Sequence, residues 1–258
     1  MTTVFDAPAA WRTERLALLR DGRTLGLVPT MGALHEGHLS LVRQSRAEND
    51  ATLVSIFVNP TQFDDAADLS AYPRTVEEDL AMLRAEGVDF VLMPREGTLY
   101  PDGYRYRLTE QSLSTVLEGA HRPGHFDGVL TVVLKLLLVA GADRAYFGEK
   151  DWQQLCLVRG LVEAFFVPTA IVAGTTVREH DGLALSSRNR RLLPDDRRLA
   201  PRFFQVLSSA DTAEDAAREL QGAGFEVDYV EDRDGRRLGA VRLGAVRLID
   251  NVPLGGRR

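Results

Sequence analysis

Apolar stretches of strand length alternate with helix-period stretches through the first two thirds of the chain, and that alternation predicts an α/β fold. "TLGLVP" at 24–29 reads as a buried parallel strand, "GHLSLVRQSRAEN" as the helix after it, and "ATLVSIFVN" at 51–59 as the next strand. "TVEEDLAMLRAEG" reads as a helix closed by Gly87, and "VDFVLMP" as a third strand. After an irregular segment come a helix in "GVLTVVLKLLLVAG", a strand in "RAYFG", a helix in "DWQQLCLVRGLVEAFF" and a strand in "TAIVAGTTV". This order predicts a Rossmann-like, doubly wound parallel sheet whose ligands sit at the carboxyl ends of the strands.

From about residue 180 the texture changes. A polar loop, "DGLALSSRNRRL", leads to shorter helical segments around 195–209 and 211–223. The expected division is therefore a large domain over 1–179 and a small α+β domain over 180–258. Near the end, "RLGAVRLGAVRLIDN" repeats a five-residue unit directly; five matches no solenoid period, so it reads as strand material of uncertain register.

With 258 residues, 45% of them hydrophobic and 26% charged, the chain can bury a sizeable core, and no apolar run is long enough to span a bilayer. The start lacks a basic-then-apolar leader, which points to the cytoplasm. A net charge of −6 argues against a nucleic-acid-binding face, while local basic clusters such as "SSRNRRLLPDDRR" suit a small phosphorylated ligand or a solvated helix start. The single cysteine, Cys156, sits among helix-pattern apolar residues and reads as a buried, inert thiol.

Two of five histidines fall in "PTMGALHEGH" at 29–38, at a strand–loop–helix junction where backbone N–H groups and the helix dipole favour anions. His35 and His38 are three residues apart, not four as in H-E-x-x-H, and no third metal ligand is evident. They read as donors to phosphate or as structural histidines. Asn59 and Gln62 in "SIFVNPTQF" suit a hydroxyl or carboxylate, or an ordinary Asn-Pro turn. Lys150 and Asp151 in "FGEKDWQQL" follow a strand, where Asp151 could also cap a helix. "ALSSRN" supplies two hydroxyls and Arg188, which are phosphate donors or caps. If these strand ends and the loop converge, they share one cleft.

Taken with "YPRT", "LEGAHRPGHF" and "DGLALSSRN", these motifs occur in the order and approximate spacing of one family. The sequence resembles the pantoate–β-alanine ligases (pantothenate synthetases), from about residue 24 to 198 and again at "RLGAVRLIDN". The resemblance implies a nucleotidyltransferase-type Rossmann domain with a C-terminal lid. It also implies ATP-dependent condensation of pantoate with β-alanine through a pantoyl adenylate, releasing AMP and pyrophosphate. Carried over by position, Met31, Gly32, Ala33, Leu34, His35, Glu36, Gly37 and His38 form an ATP loop in which His38 is catalytic and His35 is a phosphate partner. Gly148, Glu149, Lys150 and Asp151, with Leu185, Ser186, Ser187 and Arg188, form two further ATP segments, and Val177 contacts adenine through its backbone. Lys150, Ser186, Ser187 and Arg188 join the catalytic set by neutralising phosphates. Gln62 and Gln154, with Asn59 and Pro29, make the substrate set, and Gln62 borders β-alanine.

The resemblance also implies Mg²⁺ carried by ATP, with Glu78 and Asp79 as its aligned carboxylates; an acidic first helix turn is the equal reading of those two residues. A homodimer through the large domain is implied as well. Two departures stand out: the C-terminal domain looks short for the family, and Thr175 occupies a position where proline is common.

Overall fold

A computed structural model describes residues 1–255. By contacts the chain divides into one unit of Met1–Glu149 with Gln153–Gly174 and another of Lys150–Trp152 with Thr175–Arg258. The boundary expected at 179/180 thus falls inside the second unit, and the last three residues of the expected 180–258 domain lie outside the described residues.

The first unit is built on six strands: β1 (Thr3–Phe5), β2 (Leu25–Thr30), β3 (Ala51–Ile56), β4 (Phe90–Leu92), β5 (Arg144–Gly148) and β6 (Ala170–Gly174). All pairings are parallel, in the order β1-β4-β3-β2-β5-β6. Parallel strands need crossovers, and the helices supply them: α1 (Pro8–Arg20), α2 (Glu36–Glu48), α3 (Ala66–Ser70), α4 (Val76–Ala85), α5 (Glu96–Leu99), α6 (Glu118–His121), α7 (His125–Ala140) and α8 (Trp152–Ala164). Every residue of β3 is buried, Thr52 and Ser55 included, as expected of a strand covered on both faces. The chain moves outward from β2 through β3 to β4 on one side and from β5 to β6 on the other, so the direction reverses between β2 and β5. In doubly wound sheets ligands sit at such a switch point, outside the carboxyl ends of the strands.

The sequence patterns did not anticipate β1 or α1. Trp11 accounts for both: it is fully buried, donates Nε1–H to the Ala140 carbonyl at 3.3 Å, and meets Phe5 and Phe90 edge-on at 5.5 and 5.3 Å. A three-residue strand has no periodicity to read; one aromatic side chain docks it. Cys156 is half-buried, not buried, because α8 turns Gln153, Leu155, Leu157, Val158 and Leu161 inward and leaves Cys156 on the flank.

The second unit holds α9 (Pro194–Leu199), α10 (Pro201–Ser209) and α11 (Ala213–Gly222) with an antiparallel sheet of β7 (Glu226–Arg233), β8 (Arg236–Leu243) and β9 (Val246–Pro253). Phe203, Val206, Leu207, Leu220, Phe225 and Val241 form its core. The repeated pentapeptide takes two structures. In the first copy Gly239 lies in β8 against Phe203, where a Cβ would sit 3.0 Å from the ring. In the second, Gly244 has φ +54° and forms the β8–β9 turn. Asp234 and Gly235, both at positive φ, make the β7–β8 turn. Arg237, 1% exposed, bonds Asp232 at 2.8 Å and the Ala210 carbonyl at 2.6 Å, tying this hairpin to the end of α10.

At the amino-terminal end of the parallel sheet, Gly26 lets α2 approach closely: a Cβ there would lie 2.1 Å from Ser45 Oγ and 2.6 Å from Asn49 Nδ2. Both groups are committed, Ser45 to Thr52 and Asn49 to Tyr146. Gly26→Ala is expected to cost about 1–3 kcal/mol of stability by overpacking, measured as a lowered urea midpoint with unchanged slope.

Candidate active site

The loop after β2 is held from beneath. Gly32 and Ala33 have φ +78° and +50°, a conformation that costs a non-glycine residue about 1–3 kcal/mol, so something must enforce it. Asp79, 1% exposed in the first turn of α4, accepts the Ala33 N–H at 3.0 Å and the Leu34 N–H at 2.8 Å; Thr75 adds a hydroxyl at 3.3 Å. A Cβ on Gly32 would sit 2.9 Å from Asp79 Oδ2, which is why the loop carries glycine there.

The loop delivers His35 to the N-cap of α2. His35 Nδ1 accepts the Gly37 N–H at 3.2 Å, and His38 Nδ1 accepts the His35 N–H at 3.3 Å, a reciprocal capping box built from two imidazoles. Their ring centroids are 4.1 Å apart. A neutral imidazole whose Nδ1 accepts carries its proton on Nε2, so both rings hold an Nε2–H donor at the positive end of a 13-residue helix. Glu36 points its carboxylate to Arg43 on the exposed side, leaving its backbone for the loop. Pro29 and Met31 are half-buried at the end of β2.

Beyond neighbouring β3, Pro60–Gln62 forms a single 3₁₀ turn. Asn59 is 1% exposed and is hydrogen-bonded to the protein through both ends of its amide. Its Nδ2 donates to the Gly128 carbonyl at 3.3 Å and to Gln62 Oε1 at 3.0 Å; its Oδ1 accepts from Tyr100 at 2.9 Å and Thr61 at 3.0 Å. The Gly128 carbonyl can only accept, which fixes the Asn59 amide, and Asn59 in turn fixes Gln62 with its NH₂ as the remaining donor end. α7 presses directly on this turn, since a Cβ on Gly128 would be 2.3 Å from the Thr61 carbonyl oxygen. Gln154 is half-buried on α8; its neighbour Gln153 is 4% exposed and spent on Glu118 N–H and the Leu113 and Val116 carbonyls.

Beneath Gln62 lies His125, which the sequence reading did not assign. It is 8% exposed, with Nδ1 2.7 Å from the Gln62 carbonyl and Nε2 3.2 Å from Arg122. Burial, followed by the Arg122 charge, pushes its pKa down to about 4.

In the second unit, the Asn251 amide donates to the Lys150 carbonyl at 3.0 Å, and Lys150 Nζ lies 3.8 Å from Asp151. The Val177 carbonyl accepts the Leu185 N–H at 3.0 Å, and an Arg178–Ala184 bridge closes the same short hairpin. Arg178 clamps it, pairing both guanidinium nitrogens with Asp250 at 2.6 and 3.0 Å and lying 3.8 Å over the Phe204 ring. Ser186 caps the Ser187–Arg191 turn, its Oγ accepting the Arg188 N–H at 3.3 Å. The hydroxyl hydrogen of Ser186 is still available to a phosphate oxygen. Leu185, Ser187 and Arg188 are half-buried beside it.

Glu78 and Asp79, the carboxylates that the resemblance aligns with Mg²⁺, are placed differently from one another. Asp79 spends its carboxylate on two backbone amides inside the protein, Glu78 is exposed one residue before it, and among the described residues no group of three His, Cys, Asp or Glu side chains could hold a metal. These residues do not fit a protein-held ion.

The pantoate–β-alanine ligase family profile matches residues 3–253. The chain belongs to the pantoate–β-alanine ligase family. It is 52% identical to the pantothenate synthetase of Bdellovibrio bacteriovorus, covering 98% of this chain and 100% of that one. Against the pantothenate synthetase of Coxiella burnetii the values are 49%, 98% and 97%. A crystal structure of the Francisella tularensis pantoate–β-alanine ligase, complexed with β-γ ATP and β-alanine, superposes with a TM-score of 0.93 at 38% identity over 98% of both chains. The Thermus thermophilus pantothenate synthetase gives 0.90 at 40% identity, over 98% of this chain and 99% of that one. These family members match almost end to end, so the C-terminal unit is not shortened relative to them.

Asp79 and His125 are the family-member residues whose work was invisible in the sequence, because neither an amide clamp nor a fixed tautomer leaves a spacing signature. Asp79→Asn would turn an NH₂ toward one of the loop amides. About 1–3 kcal/mol of stability should be lost in equilibrium unfolding. For His125, the unfolded chain takes up a proton first as pH falls below about 6.5 and the folded chain follows only near 4. This residue therefore removes stability as pH falls through that window, up to about 3 kcal/mol. His125→Asn should flatten the loss measured between those pH values relative to the parent chain.

Proposed function

We propose that this chain condenses pantoate with β-alanine at the expense of ATP, releasing AMP and pyrophosphate. The observation that carries the reading is the imidazole capping box: two Nε2–H donors at the amino end of α2, at the carboxyl end of β2, with the Gln62 amide beyond the end of adjacent β3. A carboxylate and a triphosphate repel each other, and fixed donors and a helix dipole offset that repulsion without reorganising.

In the first step a pantoate carboxylate oxygen bonds to the α-phosphorus as the bond to the β-phosphate oxygen breaks, giving pantoyl adenylate and pyrophosphate. The Nε2–H groups of His35 and His38 stabilise charge on the phosphate oxygens, and His38 assists the departing oxygen. Gln62 donates from its NH₂ to an oxygen of pantoate, and Gln154 completes that contact. Lys150, Ser186, Ser187 and Arg188 neutralise phosphates, with the backbone of Gly148–Asp151 alongside. Val177, whose carbonyl is engaged, offers its N–H to adenine. In the second step the β-alanine amine attacks the activated carbonyl, the amide bond forms and AMP leaves. Mg²⁺ accompanies ATP as a counter-ion of its phosphates, without a carboxylate cage on the protein; no step here runs through it. A cytoplasmic homodimer completes the proposal, and among the described residues no helix is long and apolar enough to cross a membrane.

Pyrophosphate release with Mg-ATP and pantoate, run with and without β-alanine, tests the reaction. Sustained turnover only with β-alanine, yielding AMP and pantothenate, is expected; sustained release without the amine would indicate a nucleotidyltransferase instead. His38→Ala should lower adenylate formation at least a hundredfold, on the order of 3 kcal/mol of transition-state stabilisation, with ATP affinity changed only a few-fold. Equal losses in both would make it a ground-state binding residue.

A further inference from the structure

Gln62 is gripped at both ends, and the two grips come from one place. Its side-chain oxygen is held by Asn59, itself oriented by the Gly128 carbonyl; its backbone carbonyl is held by His125. Gly128 and His125 both belong to the first turn of α7, which follows the left-handed Gly124 at φ +78°. The neighbours of His125 permit one protonation state. The Gln62 carbonyl can only accept, so Nδ1 must carry hydrogen; the Arg122 guanidinium can only donate, so Nε2 must be bare. Arg122 is fixed by Asp64 at 2.9 Å, and it reaches the same Gln62 carbonyl at 3.4 Å and Glu118 at 3.9 Å. The charged groups around the ring are therefore Arg122, Asp64 and Glu118, and the ring between them is neutral.

We propose that His125, as the neutral Nδ1–H tautomer braced by Arg122, is a positioning residue for pantoate: it clamps the Gln62 carbonyl so that the Gln62 NH₂ faces the substrate. This rests on Gln62 being the pantoate contact proposed above. The opposite tautomer would set a lone pair against a carbonyl oxygen and an N–H against a guanidinium. An imidazolium would keep the clamp but lose the brace. The tautomer is the reverse of that in the His35–His38 capping box, where Nδ1 accepts in both rings.

The role separates from plain packing. A cleft of about 170 Å³ lined in part by His125 gives small molecules access to that position. His125→Phe keeps an aromatic ring and removes the donor; His125→Asn restores an N–H near the Nδ1 position. With folding checked by thermal unfolding, His125→Phe should raise the pantoate KM about tenfold, the loss of one hydrogen bond, with the ATP KM within twofold. His125→Asn should return most of that loss, and imidazole added to His125→Ala should restore part of it. In the unsubstituted protein, ¹⁵N-resolved histidine spectra at neutral pH should show one ring protonated at Nδ1 alone, missing in His125→Asn. An unchanged pantoate KM in a folded His125→Phe, or a spectrum assigning the proton to Nε2, would overturn the proposal. Gln62→Ala measured alongside keeps the two readings apart. If it leaves the pantoate KM unchanged, the Gln62 assignment has failed; if it raises KM while His125→Phe does not, only the positioning role has.

Discussion

Two backbone amides bonded to one buried carboxylate set the geometry on which the candidate site depends. Asp79 holds Ala33 and Leu34 in place, which lets the chain pass through two residues at positive φ and arrive at α2 with His35 as the cap. Without that anchor the loop would relax toward ordinary backbone conformations, and the histidine capping box would lose its starting point. The carboxylate acts through the main chain: it fixes backbone that in turn fixes rings. Burying a charge for this purpose is tolerable because each oxygen meets hydrogen-bond donors.

The same logic recurs on the neighbouring strand and in the second unit. Asn59, Tyr100, His125 and Gly128 immobilise a single 3₁₀ turn so that one amide, that of Gln62, is left with a defined donor end. Arg178, pinned between Asp250 and Phe204, stiffens the hairpin that leads from Val177 to Ser186. Gln62 and the hairpin leading to Ser186 are thus oriented by polar partners with little freedom to choose their hydrogen-bonding roles. Preorganisation of this kind suits a reaction whose barrier comes from bringing anions together.

The parallel sheet was legible because its strands are apolar runs covered on both faces, and "RAYFG" coincides with β5 to the residue. The loop after β2 was legible as a strand–loop–helix junction from its glycines and paired histidines. What escaped was set by contacts distant in sequence. Trp11 docks β1 and α1 through Ala140 and Phe90. One pentapeptide becomes strand in its first copy and turn in its second, as Phe203 packing and a hairpin reversal dictate. Asn59 and Asp79 each kept two readings in the sequence, because a polar residue in a motif does not announce whether it points to ligand or to backbone. Both are 1% exposed and hydrogen-bonded within the protein, which no sequence pattern shows.

The central chemical claim is that a carboxylate oxygen becomes bonded to the α-phosphorus before the amide forms. Pantoate labelled with ¹⁸O in its carboxylate, turned over with ATP and β-alanine, tests it by the mass of the products. The account predicts one ¹⁸O in each AMP and one retained in the pantothenate amide carbonyl. AMP without label, with the missing oxygen in pyrophosphate or inorganic phosphate, would place activation at a different phosphorus and contradict the mechanism.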